Sequence, residues 1–308
     1  MARARSRTVQ VWLWRLEALG FDAFTALARL APLEAWSSLF GGLGRLIGPL
    51  TGAHRTARRN LRLAMPELSE AEVRVILSAQ WENFGRYLGE FPVTDRLTPS
   101  GGRVDVSQAG RLVDIARAGR PVVLISGHFS NLEIMAAAIV EAGIPCEVTY
   151  RALNNPFVDE RIRQGRKRYG VRMFAPKGAE GARDLLAALK AGRSIAMLND
   201  QRYDAGTASL FFGRPVMTNP AAARLALRFG TEIQPMSIER VKGARFRVIA
   251  HDPITVPDTG DKTADVQAGV DAINAFLEAR VRARPGEWWW VHRRWPREDY
   301  AALKAEGL

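Results

Sequence analysis

Between residues 121 and 198, short apolar runs alternate with stretches of helical periodicity, and this alternation limits the fold more than any other feature of the chain. Pro121 to Ile125 is apolar without a break, and Cys146 to Tyr150 is rich in residues that suit a pleated surface. The spacing predicts strands at 121–126, 146–150, 171–174 and 194–198, separated by helices at 131–142, 155–169 and 179–190, the last closed by Gly192. Strands joined through helices pair in parallel, because a parallel crossover needs about a helix's length of chain to return. Thr218 or Asn219 caps a further helix that begins at Pro220 and ends by Gly230, and Gln234 to Val241 and Arg245 to Ala250 read as later strands. The expected fold class is α/β, with a mixed, largely parallel central sheet flanked by helices.

The first fifty residues read differently. From Val9 to Leu50 the apolar residues fall at helical spacing, most clearly Trp36, Leu39, Phe40, Leu43, Ile47 and Leu50. Trp12, Trp14 and Trp36 are interleaved with Arg3, Arg5, Arg7, Arg15, Arg29 and Arg45, a composition suited to a lipid-water interface. We therefore expect residues 1–55 to be a membrane-associating helical region and residues 56–308 to be the α/β domain. The basic start resembles that of a signal peptide, but Arg15, Glu17 and Asp22 break the apolar stretch and no small-residue cleavage site follows, so we expect no export. One spanning helix is the less favoured alternative, since Leu30 to Ala53 contains Glu34 and Arg45. Ser69 and Glu72 have the spacing of a capping box, which predicts a helix from there to about Leu88.

Chemistry concentrates where the first core strand ends. His128 and Glu133 lie in Ile125-Ser-Gly-His-Phe-Ser-Asn-Leu-Glu-Ile-Met135, a His-x4-Glu pair at a strand exit. Positions i and i+5 do not share one face of a continuous helix, so His128 belongs just outside the helix. Ser130 or Asn131 is then the N-cap and Glu133 falls in the first turn. We expect His128 to take a proton from a hydroxyl, with Glu133 orienting it and stabilising the imidazolium. Free backbone amides near Asn131 would face a developing oxyanion. Met197-Leu-Asn-Asp-Gln-Arg202 is a second apolar strand ending abruptly in polar residues, which puts Asp200 and Gln201 at the same sheet edge as His128. After Tyr150 come Arg151 and a run from Arg161 to Arg172 in which half of the residues are basic. Such a run is usually a solvated helix face, but an arginine fork also matches phosphate.

Gly206 to Pro215 is glycine-punctuated and apolar, like the wall of a hydrophobic groove, though Phe211 and Phe212 could equally be core. Pro285 to Pro296 holds four tryptophans among basic residues, a pattern suited to a membrane interface or to stacking on single-stranded nucleic acid. The chain carries 44 Lys+Arg against 32 Asp+Glu, a net charge of +12 that implies an acidic partner. Cys146 is its only cysteine, which excludes an intramolecular disulfide and a CxxC redox pair. His54, His251 and His292 lack carboxylates at ligand spacing, so no metal is assigned, and HExxH, GxxxxGK[ST] and GxGxxG are absent.

Five ordered blocks together resemble the late acyltransferases of lipid A biosynthesis, the lauroyl/myristoyl acyltransferase family. They are Arg58-Arg-Asn-Leu with Pro66-Glu-Leu-Ser; Gly127-His-Phe-Ser-Asn-Leu-Glu133; Tyr150-Arg with Asn155-Pro-Phe-Val-Asp159 and Gly165-Arg166; Asn199-Asp-Gln with Phe211-Phe-Gly; and Trp288 to Trp295. The resemblance runs from about Val9 to Pro296. It implies a glycerolipid acyltransferase-like fold and transfer of a fatty acyl group from an acyl carrier protein thioester to a hydroxyl of a lipid A precursor, at the cytoplasmic face of the inner membrane. We expect a monomer, attached peripherally or by one N-terminal anchor. It implies His128 and Glu133 as the catalytic pair and a role for Arg166 and Asp200. We further expect Arg151, Arg166, Asp200, Gln201 and Asn131 to bind substrate, with Arg166 and its neighbours holding acceptor phosphates. No metal or redox cofactor is called for, and the expected partners are the carrier protein, the acceptor lipid and the anionic membrane surface, not nucleic acid. The alternatives are a different acceptor lipid, such as a glycolipid, ornithine lipid or lysophospholipid; a thioesterase; and a basic nucleic-acid-binding protein.

Overall fold

The computed structural model describes residues 7–172, 174–176 and 179–305. Four helices come first: α1 (Arg7–Leu30), α2 (Leu33–Ile47), α3 (Gly52–Ala64) and α4 (Glu70–Glu90). The core follows as β1 (Val104–Gln108), α5 (Gly110–Ala118), β2 (Val123–Ser126), α6 (Glu133–Glu141), β3 (Cys146–Tyr150), α7 (Pro156–Lys167), β4 (Phe174–Pro176), α8 (Ala179–Lys190) and β5 (Ser194–Leu198). The chain ends with the hairpin β6 (Thr207–Phe211) and β7 (Arg214–Thr218), then α9 (Ala221–Phe229), β8 (Ile233–Lys242), β9 (Arg245–Ala250), α10 (Lys262–Ala283) and α11 (Arg297–Ala305).

The central sheet has seven strands in the order β1-β9-β8-β2-β5-β3-β4. The five from β8 to β4 run parallel, β9 returns antiparallel to β8, and β1 pairs parallel to β9. The expected α/β class and largely parallel sheet are therefore what the chain adopts. β2 sits in the middle with all four residues buried, which is why it reads as an unbroken apolar run.

Local chemistry explains most element ends. Ser69 and Glu72 cap α4 reciprocally: Glu72 N–H donates to Ser69 Oγ and Ser69 N–H donates to Glu72. Asn155 Oδ1 accepts from Phe157 and Val158 at the start of α7. The strand expected at 171–174 forms later, at Phe174–Pro176, because Gly170 at φ +85° and the bond from Val171 N to Arg166 O prolong the turn after α7. At α6 the expected side-chain cap is absent: the N-cap position is Leu132, with no side-chain bond, and Ser130 takes a left-handed φ of 42°.

α2 and α4 approach almost backbone to backbone. A Cβ on Gly44 would lie 2.2 Å from Trp81 O, and one on Gly85 would lie 2.2 Å from Phe40 O, so only glycine fits on either helix at this crossing. Deeper in, the Glu90 carboxylate is fully buried, paired with Arg240 and bonded by Ser37 and Asn131. A carboxylate can be buried because charged and polar partners satisfy both of its oxygens.

The tryptophan-rich C-terminal block corrects one expectation. Trp288, Trp290 and Trp295 are all buried in the core, and Phe211 and Phe212 of the β6–β7 hairpin pack on Trp295 with them. Arg294 is buried too, bonded to Gln201 O, Met217 O, Thr218 and Asn274. A segment read as suited to lipid headgroups or stacked bases is largely a structural plug, and three of its four tryptophan rings are not available for either; only Trp289 stays partly exposed.

Candidate active site

In a parallel pair the register fixes which strand exits are neighbours. Ser126 of β2 pairs with Leu198 of β5, so the residues two positions on, His128 and Asp200, emerge side by side. His128 Nδ1 lies 2.7 Å from Asp200 Oδ1. The second oxygen, Oδ2, accepts from the His128 backbone N–H at 2.7 Å and from Trp288 Nε1 at 2.8 Å. Burial alone would raise the Asp200 carboxyl, but the imidazole beside it, two further bonds from His128 and one from Trp288 hold it well below the usual carboxylate range. A carboxylate can only accept, so His128 Nδ1 carries the hydrogen, and in the neutral ring Nε2 is the nitrogen with the lone pair. Nε2 is 3.4 Å from the Gln201 side-chain nitrogen.

The structure does not bring His128 and Glu133 together as the expected hydrogen-bonded pair. Glu133 is buried and receives a bidentate bond from Arg166, at 2.9 Å to Oε2 and 2.6 Å to Oε1, with Tyr169 Oη donating to Oε2 at 2.6 Å. The reason lies in the segment between them: the turn at Ser130 and the start of α6 at Glu133 aim the carboxylate at α7, while the imidazole points along the sheet edge to β5. Burial would weaken the Arg166 cation, yet the paired carboxylate keeps it raised and charged. The Tyr169 phenol is pushed up by burial and by Glu133, so it stays protonated and donates.

The remaining expected residues divide. Arg151 is exposed and lines the mouth of the cavity described below. Gln201 faces His128. Asn131 is fully buried with its Nδ2 on Glu90, so it supports the loop and does not line the cavity; the neighbouring Ser130 N–H, one of the amides expected to face an oxyanion, is taken by Glu287 O. Arg166 gives its fork to Glu133 and also lines the cavity. Asp200, expected to bind substrate, has both of its oxygens engaged by His128. Trp288 and Tyr169 were not anticipated; nothing in their spacing announces that an indole and a phenol will complete the two carboxylate sites.

His128 and Glu133 both line a cavity of about 390 Å³ between α6 and the sheet. Its apolar walls are Leu124, Met135, Ala136, Ile139, Val148 and Ala196, among others, and Tyr87, Trp289 and Arg151 stand near its polar end. The volume falls in the ~300–1,000 Å³ range of small-ligand sites. An oriented imidazole whose Nε2 meets only the long 3.4 Å contact from Gln201, above a greasy channel, is equipped to deprotonate a hydroxyl beside a bound alkyl chain. Among the described residues no cluster of His, Cys, Asp and Glu has the arrangement of a metal site.

Comparison with known proteins gives concordant results. Residues 5–297 match the family model described as bacterial lipid A biosynthesis acyltransferase. The chain is 24% identical over 243 residues to the lipid A biosynthesis palmitoleoyltransferase of Escherichia coli (strain K12), covering 77% of each. It is 26% identical over 264 residues to the lipid A biosynthesis lauroyltransferase of the same strain, covering 82% of each. A lipid A biosynthesis acyltransferase of Haemophilus influenzae is 26% identical over 261 residues, or 82% of this chain and 81% of the relative.

Proposed function

The chain belongs to the bacterial lipid A biosynthesis acyltransferase family, and on that premise we propose that it transfers a fatty acyl group from an acyl carrier protein thioester to a hydroxyl of a lipid A precursor. The observation that carries the reading is the His128–Asp200 pair at the mouth of an apolar cavity. His128 Nε2 removes the acceptor proton as the hydroxyl oxygen attacks the thioester carbonyl, and Asp200 stabilises the imidazolium. The alkyl chain lies between α6 and the sheet. Arg151 at the mouth supplies positive charge for an acceptor phosphate. Glu133 and Arg166, joined across α6 and α7, hold the cavity wall. No metal or redox cofactor enters this chemistry.

Mass spectrometry of the lipid fraction tests the reading. Purified protein incubated with a panel of acyl carrier thioesters and a lipid A precursor is expected to add one acyl mass to the precursor. Free fatty acid with no acylated lipid indicates a thioesterase, and acylation of a different lipid in a competition panel reassigns the acceptor.

The reading includes attachment to the cytoplasmic face of the inner membrane through α1 and α2. Among the described residues no helix is long and apolar enough to cross a membrane. Leu39, Leu43, Leu46, Ile47 and Leu50 nevertheless form one exposed stripe on and beyond α2, and Trp12, Leu16, Leu19, Leu27 and Leu30 are exposed on α1. Such a stripe suits an interfacial helix, and the net charge of +12 suits anionic lipid and an acidic carrier protein. Deleting the region would strip α2 from its close packing on α4, so point changes test it better. Leu39→Glu combined with Leu46→Glu is expected to leave the protein folded and release it from sedimenting anionic vesicles. Unchanged sedimentation places attachment elsewhere.

A further inference from the structure

Two hydrogen-bond donors beside His128 do nothing to hold the dyad, and neither has a partner among the described residues. Ser126 ends β2 and is only 4% exposed, with its Oγ buried and unbonded. Leu124, its register partner Ala196 and Val148 beyond it line the cavity, and Ser126, two residues after Leu124, shares that face. Trp289 is the second. Its Nε1 is buried and unbonded, whereas the indole nitrogens of Trp288 and Trp290 both donate, to Asp200 and to Pro285 O. The Trp289 ring is held in place: its backbone N–H donates to His128 O, it makes T-shaped contacts with Phe84 and Tyr87, and its centroid is 5.4 Å from that of the imidazole. Both residues line the cavity. Buried donors are rarely left unpaired, and those that are call for a role. Fixed donors in a dry site beside a general base are what the charge developing on a carbonyl oxygen requires.

We propose that Trp289 Nε1 and Ser126 Oγ bind the thioester carbonyl oxygen and the oxyanion it becomes. The inference rests on the acyl-transfer reading above. As the acceptor hydroxyl gives its proton to His128 Nε2, its oxygen bonds to the carbonyl carbon and the C=O π pair moves onto the oxygen facing the two donors. The pair then returns, the C–S bond breaks, and His128 passes the proton to the departing thiolate. Atoms and charge balance with no further reactant.

The test is steady-state kinetics on full-length Trp289→Phe, Ser126→Ala and Ser126→Thr, with an acyl carrier thioester and a lipid A precursor, alongside thermal melts. Phenylalanine keeps an aromatic ring and removes the N–H. Trp289→Phe is expected to lower kcat by about 10²-fold, the loss typical of one oxyanion donor, with KM for both substrates changed by no more than a few-fold. Ser126→Ala is expected to lower kcat less, and Ser126→Thr to restore it, since only the hydroxyl is in question. A folded Trp289→Phe with wild-type kcat, or an effect confined to the melting temperature, overturns the assignment for Trp289. A Ser126→Ala enzyme as fast as wild type overturns it for Ser126. If wild-type protein transfers no acyl group at all, it is the underlying reading that fails.

Discussion

His128→Ala is expected to lower acyl-transfer turnover by ~10² to 10⁴-fold, the contribution of a positioned general base, while leaving the protein folded and bound to vesicles. Folding should survive because the imidazole is not part of the core: its side chain retains 12% exposure, and its one strong bond is to Asp200. The backbone contacts of residue 128, its N–H to Asp200 and its carbonyl from Trp289 N–H, do not depend on the side chain. The measurement is initial rate with saturating thioester and lipid A precursor, followed as acylated product. A folded variant with wild-type turnover removes His128 from the chemistry, and with it the significance of the cavity below.

The sheet edge that carries this chemistry was legible in the sequence, and its wiring was not. Apolar runs at 121–126 and 194–198 marked buried parallel strands, and the polar residues just after each placed His128, Asp200 and Gln201 at one edge. What the spacing could not say is that β2 and β5, far apart in the chain, are direct neighbours, since three helices and two strands lie between them. Glu133 drew attention because it is close in sequence; Asp200 wins because register places it opposite. The same difficulty hid the plug. Tryptophans among arginines look amphipathic when read along the chain, but Trp288, Trp290 and Trp295 fill core space while Arg294 reaches buried carbonyls. α10 drew no assignment, although Val270, Ile273, Leu277 and Val281 form a fully buried stripe at helical spacing along it.

Two substitutions separate the carboxylates, and they should fail in different ways. Asp200 Oδ2 accepts from two fixed N–H groups, the His128 backbone and the Trp288 indole. In Asp200→Asn the amide oxygen must therefore take that position, because an NH₂ there would face two donors. The NH₂ then points at His128 Nδ1, which must become the acceptor, and the ring hydrogen moves to Nε2. The lone pair that takes the acceptor proton is lost, and turnover is expected to fall on the order of 10³ to 10⁴-fold, as when a catalytic histidine is forced into the wrong tautomer. Glu133→Gln acts on Arg166, a buried cation deprived of its counter-charge, and is expected to cost about 3 kcal/mol of stability, with turnover of the folded fraction reduced far less than in Asp200→Asn. Thermal melts paired with kinetics on both variants decide it. A folded Glu133→Gln that loses turnover as deeply as Asp200→Asn would return Glu133 to the proton-transfer machinery, whereas a slow but stable Asp200→Asn beside a destabilised, active Glu133→Gln assigns the base's orientation to β5 and leaves α6 and α7 to shape the channel.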